Sequence, residues 1–312
     1  MTVIDAIQRL LTAGERVILD GATGTELERR GARMHEAVWC AMATLSHGDP
    51  LREIHADYIF AGADVITTNT FAASRTILGP AGLGERVPTV IRRAVAIAKE
   101  AIERAAAGRP IAIAGSMSHM VPLTKGADTR DPKRLPTPSE VGANAREMAH
   151  LLAEAGVDLL LMEMMSDPDL TLPTIEAART TGLPVWVGIS CRRAADRRLV
   201  AYSRPELALE RAIDAIVGVG GDVFGIMHSP VDATTEALGL LRARWSGPLM
   251  AYPESGYFEM PNWRFVDVIA PEAFAEQARV WAASGVQILG GCCGLRVEHI
   301  RALTGALHHA SH

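Results

Sequence analysis

Val157-Asp158-Leu159-Leu160-Leu161-Met162-Glu163 is a largely apolar run that ends on a carboxylate. It lacks the polar–apolar alternation of a half-exposed strand, so it predicts a strand buried on both faces, as in a parallel sheet covered by helices. A helical pattern, read as capped by Ser139 with Glu140 close behind, leads into it and stops at Ala155-Gly156. Another helical pattern follows over 170–181 and ends at Gly182. A charge at the tip of such a strand is costly without a partner or ligand, which marks Glu163 as a candidate site residue.

The same unit repeats in both directions. Upstream strands are predicted at Arg16-Val17-Ile18-Leu19-Asp20, Ala63-Asp64-Val65-Ile66-Thr67-Thr68-Asn69 and Pro110-Ile111-Ala112-Ile113-Ala114-Gly115-Ser116. Downstream ones are predicted at 184–191, 222–228 (ending on His228), 248–253 and 286–289. Helices are expected at 4–13, through Arg30, from an Asp49 N-cap with Pro50 to about Ala61, and at 88–107, 205–217, 234–245, 271–284 and 297–307. The arginine-rich turn 192–198 reads as a solvated loop. Eight strands alternating with helices predict a single (β/α)8 TIM barrel spanning 1–312, with a lid-like insert at about 119–138, too long for an ordinary connection. Catalytic groups of that fold gather at the C-terminal strand ends, so Asp20, Asn69, Ser116, Glu163, His228, Cys292 and Cys293 are expected at one mouth. For Asp20 the plain alternative is an N-cap for the following helix.

Gly290-Gly291-Cys292-Cys293-Gly294 closes the last strand. Neighbouring cysteines bridge each other only with strain, whereas two thiolates on one turn can hold a soft metal ion. The alternative is a pair of buried structural cysteines. With four cysteines among 312 residues, a disulfide scaffold is not expected and a reducing cytoplasm is. The chain is 48% hydrophobic with net charge −5 and has no run of membrane-spanning length, so neither nucleic acid nor membrane is expected as a partner. No signal peptide is read at the N-terminus. The tail His308-His309-Ala310-Ser311-His312 reads as frayed.

Three segments together, Ile18-Leu19-Asp20-Gly21-Ala22-Thr23-Gly24-Thr25-Glu26-Leu27, Gly62-Ala63-Asp64-Val65-Ile66-Thr67-Thr68-Asn69-Thr70-Phe71 and Gly290-Gly291-Cys292-Cys293-Gly294, resemble the homocysteine S-methyltransferase family. The resemblance covers about 15–308. It implies a (β/α)8 barrel with zinc on three cysteines, two of them matching Cys292 and Cys293. The family's third cysteine, in a Gly-Val-Asn-Cys pattern, falls on Gly225-Ile226-Met227-His228, so that Met227 stands for Asn and His228 for Cys. The family's Tyr-Pro-Asn-Ser-Gly reads here as Tyr252-Pro253-Glu254-Ser255-Gly256. The acidic residue that holds the substrate amino group matches Glu163, and the Asp-Gly pair at the homocysteine end of the site matches Asp20 and Gly21.

The resemblance thus implies zinc on Cys292 and Cys293 and substrate contacts from Asp20, Gly21 and Glu163. His228, in the place of the third cysteine, is predicted to complete the zinc site, with packing near the metal without touching it as the alternative. Asn69 and Ser116 join the expected substrate contacts by their place at the strand ends. No catalytic residue is expected beyond the zinc site. The partners are a small-molecule thiol such as homocysteine and a sulfonium or ammonium methyl donor; the product is methionine, which suggests methionine biosynthesis. A homo-oligomer is compatible with this reading. Zinc makes a thiol into a thiolate and holds it for in-line attack on a methyl group. An imidazole in place of one thiolate makes the ion less anionic, which favours a more activated sulfonium donor or a different acceptor. Trp39 is expected to pack, with a cation–π contact to the donor as the alternative. Competing readings are a methyltransferase for another thiol or donor, a zinc hydrolase, and a zinc- or small-molecule-binding barrel that has lost methyl transfer.

Overall fold

The structure, a computed structural model, describes residues 2–35, 37–124, 130–131, 133–259 and 264–308. Eight parallel strands carry the fold: β1 (Val17–Ile18), β2 (Val65–Thr67), β3 (Ala112–Ser118), β4 (Leu159–Met165), β5 (Val185–Ile189), β6 (Val223–Pro230), β7 (Leu249–Glu254) and β8 (Ile288–Leu289). They neighbour one another in the order β1-β8-β7-β6-β5-β4-β3-β2. A parallel bridge from Leu19 to Val65 joins the two ends, with the Asp20 N–H donating to the Val65 carbonyl at 3.0 Å. This is the (β/α)8 barrel expected from the alternation of apolar runs and helices.

The period of two shows why the strands read as continuously apolar. Leu159 and Leu161 point into the barrel with Val17, Leu19, Val65, Ala112, Trp186, Val223 and Ile288. Leu160 and Met162 point outward into the layer shared with the helices. Both faces of each strand are dry, so both carry apolar side chains. The first helix, Val3–Thr12, adds Ile7 and Leu11 to the inner cluster and plugs the barrel at the N-terminal ends of the strands. The C-terminal end is left to the site.

Several local expectations are corrected. The helix Pro138–Ala155 is capped by Thr137 rather than Ser139. The Thr137 hydroxyl accepts from the Glu140 N–H at 3.3 Å, and the Glu140 carboxylate accepts from the Thr137 N–H at 2.8 Å. That reciprocal box needs a three-residue spacing, which Ser139 does not have. Asp49 lies inside the first turn of the helix Gly48–Phe60, whose cap is His47. There it favours the helix dipole and pairs with Arg52 at 2.7 Å. The segment read as a solvated loop is an antiparallel three-stranded sheet, Cys191–Arg193, Leu199–Ala201 and Arg204–Ala208, and the next helix therefore starts at Leu209 instead of 205. Burial of Leu199, Val200 and Ala201 holds that sheet down. A second addition, the hairpin Tyr257–Glu259 with Arg264–Val266, follows β7. Of the expected lid, 125–129 and 132 lie outside the described residues. No described helix is long and apolar enough to cross a membrane.

Candidate metal centre and active site

The turn after β8 is built by close backbone approach. The Gly290 N–H donates to the Ala251 carbonyl and the Gly291 N–H to the Asp20 carbonyl, both at 3.0 Å. A Cβ at Gly290 would stand 2.7 Å from the Leu19 side chain and 2.8 Å from the Asp20 carbonyl oxygen, so only glycine lets the turn sit there. Gly294 ends the turn at φ +81°, in the left-handed region. Between them the Cys292 N–H is fixed by the Pro253 carbonyl at 2.8 Å and the Cys293 carbonyl by the Ser255 N–H at 3.0 Å.

This turn presents both thiols to His228 at the end of β6. Cys292 Sγ lies 3.4 Å from His228 Nδ1 and 4.0 Å from Cys293 Sγ. The three ligand atoms all lie within 4.8 Å of one another, the one such group of at least three His, Cys or acidic residues among the described residues. A tetrahedral zinc site has S···S and S···N edges of about 3.8 and 3.5 Å. The three side chains therefore fit a soft divalent ion with little rearrangement, and three protein donors leave one position for a substrate sulfur. Without an ion, the neighbouring Cys293 sulfur and burial hold the Cys292 thiol well above its ordinary range, that is, protonated. His228 has φ +40°, a strained value for a residue with a side chain. Its other ring nitrogen, Nε2, stands 3.2 Å from Glu254 Oε2.

The thiols form part of the wall of a cavity of about 410 Å³, within the size of a small-molecule site. Asp20, Gly21, Asn69, Ser116 and Glu163 line it together with His228, Cys292 and Cys293, so every sequence-selected residue reaches one mouth. Their chemical states differ. Burial pushes the Glu163 carboxyl up to about 7 against the opposing hydrogen bond from the Ser116 hydroxyl, and nearby Asp20 raises it further. Burial also pushes Asp20 up to about 7, although its oxygens accept from the Thr67 N–H at 2.7 Å and the Thr67 hydroxyl at 2.8 Å. Both carboxyls are thus poised to gain from a cation entering the cavity. Asn69 is already engaged: its amide donates to the Cys40 carbonyl and the Thr44 hydroxyl, both at 3.0 Å, and accepts from the Cys40 thiol at 3.1 Å. It holds the loop that carries Trp39.

Other groups line the cavity besides the predicted site residues. Tyr202 comes from the three-stranded sheet; its ring meets the His228 imidazole edge-on at 5.1 Å, and the Arg192 guanidinium lies 5.7 Å from its centre. His119 accepts from the Ser166 N–H at 3.2 Å and is kept neutral by burial, its pKa lowered to about 4. Trp39 stacks edge-on against Phe71 at 5.9 Å and lies over Gly24. Met227, where the family pattern has Asn, accepts with its sulfur from the Met164 N–H and the Ser190 hydroxyl, both at 3.0 Å. Of these, Trp39 and Met227 carry a signal in the sequence and His119 reads there only as the start of the lid-like insert, whereas Tyr202 carries none.

The profile of the family described as homocysteine S-methyltransferase matches residues 17–307. Homocysteine S-methyltransferase YbgG of Bacillus subtilis is 26% identical, with 96% of each chain covered. Selenocysteine methyltransferase of Astragalus bisulcatus is 28% identical, covering 93% of this chain and 92% of that one. The crystal structure of the metallated form of the homocysteine methyltransferase MmuM from Escherichia coli superposes with a TM-score of 0.77 at 25% identity, over 96% of this chain and 99% of that chain.

Proposed function

Because the chain belongs to the homocysteine S-methyltransferase family, we propose that it is a zinc-dependent enzyme that moves a methyl group from a sulfonium or ammonium donor to the sulfur of homocysteine, giving methionine. The observation that carries this reading is the cluster of Cys292, Cys293 and His228, at ligand spacing in the wall of a cavity that also holds Glu163. Zinc bound by these three side chains would supply the Lewis acidity that keeps a substrate thiol ionised at neutral pH.

The remaining work falls to the protein. Glu163, held by the Ser116 hydroxyl, receives the ammonium group of an amino-acid thiol, and Asp20 adds a second negative charge beside it. An ammonium fixed there leaves the thiol end of a four-carbon amino acid to reach the cysteine turn. Trp39, Phe71 and Tyr202 give the cavity an aromatic wall suited to a methyl group carried on a cationic centre. Segment 119–138 supplies His119, Met120, Val121, Leu123 and Arg130 to the lining and acts as a lid that excludes water. Methyl transfer then requires alignment of donor and acceptor and no further acid–base group. Thiol ligands must stay reduced, which fits the four free cysteines and a cytoplasmic location.

The test is metal content together with turnover. Purified protein is expected to hold about one zinc per chain. It should form methionine from homocysteine with one of a panel of sulfonium and ammonium donors, followed by mass. Cys292→Ala and Cys293→Ala should each lose both metal and activity. Full zinc occupancy in either variant would show that the cysteine turn is not the metal site.

A further inference from the structure

We propose that Glu254 is a positioning residue of the metal centre, which accepts the Nε2 proton of His228 and so commits Nδ1 to the metal. This rests on the metal-binding reading above. A neutral imidazole has one nitrogen with a proton and one without, and the partner of the protonated nitrogen decides which is left to bind a metal. In this protein the two nitrogens face different chemistry. Nδ1 points at Cys292 Sγ, 3.4 Å away, and Nε2 at Glu254 Oε2, 3.2 Å away.

The pair is set by the barrel ladder. Glu254 closes β7 and is in register with Pro230, two residues beyond His228 on β6. The two side chains are only 10% and 14% exposed, so their contact is shielded, unlike a surface ion pair. The Tyr202 ring against the imidazole edge fixes its plane. Glu254 itself does not line the cavity, so its route to the chemistry runs through the ring. Charge gives the pairing a second purpose. A divalent ion with two thiolates and a neutral imidazole sums to zero, and a carboxylate one hydrogen bond further out returns a negative charge to the cluster. This narrows the charge difference that a histidine in place of a third thiolate introduces. Positions 228 and 254 are both places where this sequence departs from the pattern it resembles, and the structure brings the two departures into contact.

The experiment measures zinc dissociation constants by competition with a chromophoric chelator, in two backgrounds. Glu254→Gln should weaken zinc binding by about 10–100-fold when His228 is present, the usual effect of losing a ligand's outer partner. Glu254→Asp, which keeps the charge but withdraws it, should lose less, and serves if the glutamine variant folds poorly. In a His228→Cys background the same Glu254→Gln exchange should cost less than about threefold, because no imidazole proton remains to be accepted. Unchanged zinc affinity in Glu254→Gln and Glu254→Asp would overturn the proposal. So would an equal loss in both backgrounds, which would make Glu254 a distant charge only. Wild-type protein that binds no zinc would instead overturn the metal reading, and this inference with it.

Discussion

Glu163 is a buried carboxyl whose surroundings withhold what an ion needs: one hydroxyl faces it, and the nearby acidic group, Asp20, repels it. In the metal-free protein this has a stability consequence. The unfolded chain releases the proton near 4.5, whereas the folded protein keeps it to about 7. Between those values the folded state carries a proton the unfolded chain has lost, so stability falls as pH rises through that window and stays low above it. A shift of that size corresponds to about 3 kcal/mol at most. Metal-free Glu163→Gln should therefore match wild type in thermal unfolding at pH 4.5 and unfold a few degrees higher at pH 8. Equal unfolding temperatures at pH 8 would mean that Glu163 is not destabilised by burial. With substrate the sign reverses, because an ammonium group supplies the missing partner. Homocysteine affinity should rise with pH up to about 7, and Glu163→Gln should weaken it at pH 8 by about tenfold or more, the usual scale of a lost charged hydrogen bond. An unchanged affinity would exclude an amino-acid acceptor at this position. Residues of this kind were legible because a charge at the end of an apolar strand, or two thiols on a glycine turn, contradicts its local context. Glu254 was legible only as a departure from the family pattern, with no role attached, and Tyr202 not at all; both gain meaning from contact with His228.

At the scale of elements, two additions to the barrel meet at one side chain. Asp167, just before the helix Pro168–Arg179, pairs with Arg130 of the 119–138 segment at 2.7 Å and with Arg204 of the three-stranded sheet at 2.9 Å. Burial alone would raise its pKa, but the two guanidinium groups outweigh that and hold the carboxyl below its ordinary range. The latch therefore stays ionised across the neutral range and opens only under acid. We expect Asp167→Asn to release both elements together: proteolysis at the Lys and Arg residues of 119–138 should quicken several-fold and the KM for substrates should rise, with zinc content unchanged. Equal protease sensitivity would show that this ion pair does not hold the proposed lid. The barrel strands and most helices could be read from long apolar runs and their stops. The three-stranded sheet could not, because Leu199-Val200-Ala201 is too short to show a period and is flanked by Asp196-Arg197-Arg198 and by Pro205, which suggest a loop and a helix start. Its place beside the cavity comes from burial against the barrel, a tertiary fact that local sequence does not carry.

For the whole molecule, the proposed metal ligands come from β6 and from the turn after β8, with β7 lying between them in the sheet. An ion held there would stitch three neighbouring strands near the point where the barrel closes. That closure is thin: β1 pairs with β8 through two residues of each strand, and β1 reaches β2 through the Leu19–Val65 bridge. Binding to the folded state alone raises stability with the logarithm of free metal over its dissociation constant, about 4 kcal/mol at a thousandfold excess. In a domain of this length each kcal/mol moves the unfolding midpoint by roughly 2 °C, so zinc should raise Tm by about 5–10 °C over chelator-treated protein. Cys292→Ala should show no zinc-dependent shift and should unfold close to the chelated wild type, since it lacks the ligand set but keeps the fold. Hydrogen exchange should slow on zinc addition at the ends of β6, β7 and β8 and stay unchanged at the N-terminal plug, where Ile7 and Leu11 seal the opposite end without the metal. A wild-type midpoint indifferent to chelator, or exchange slowed equally at both ends of the barrel, would mean that the three ligands do not tie these strands together.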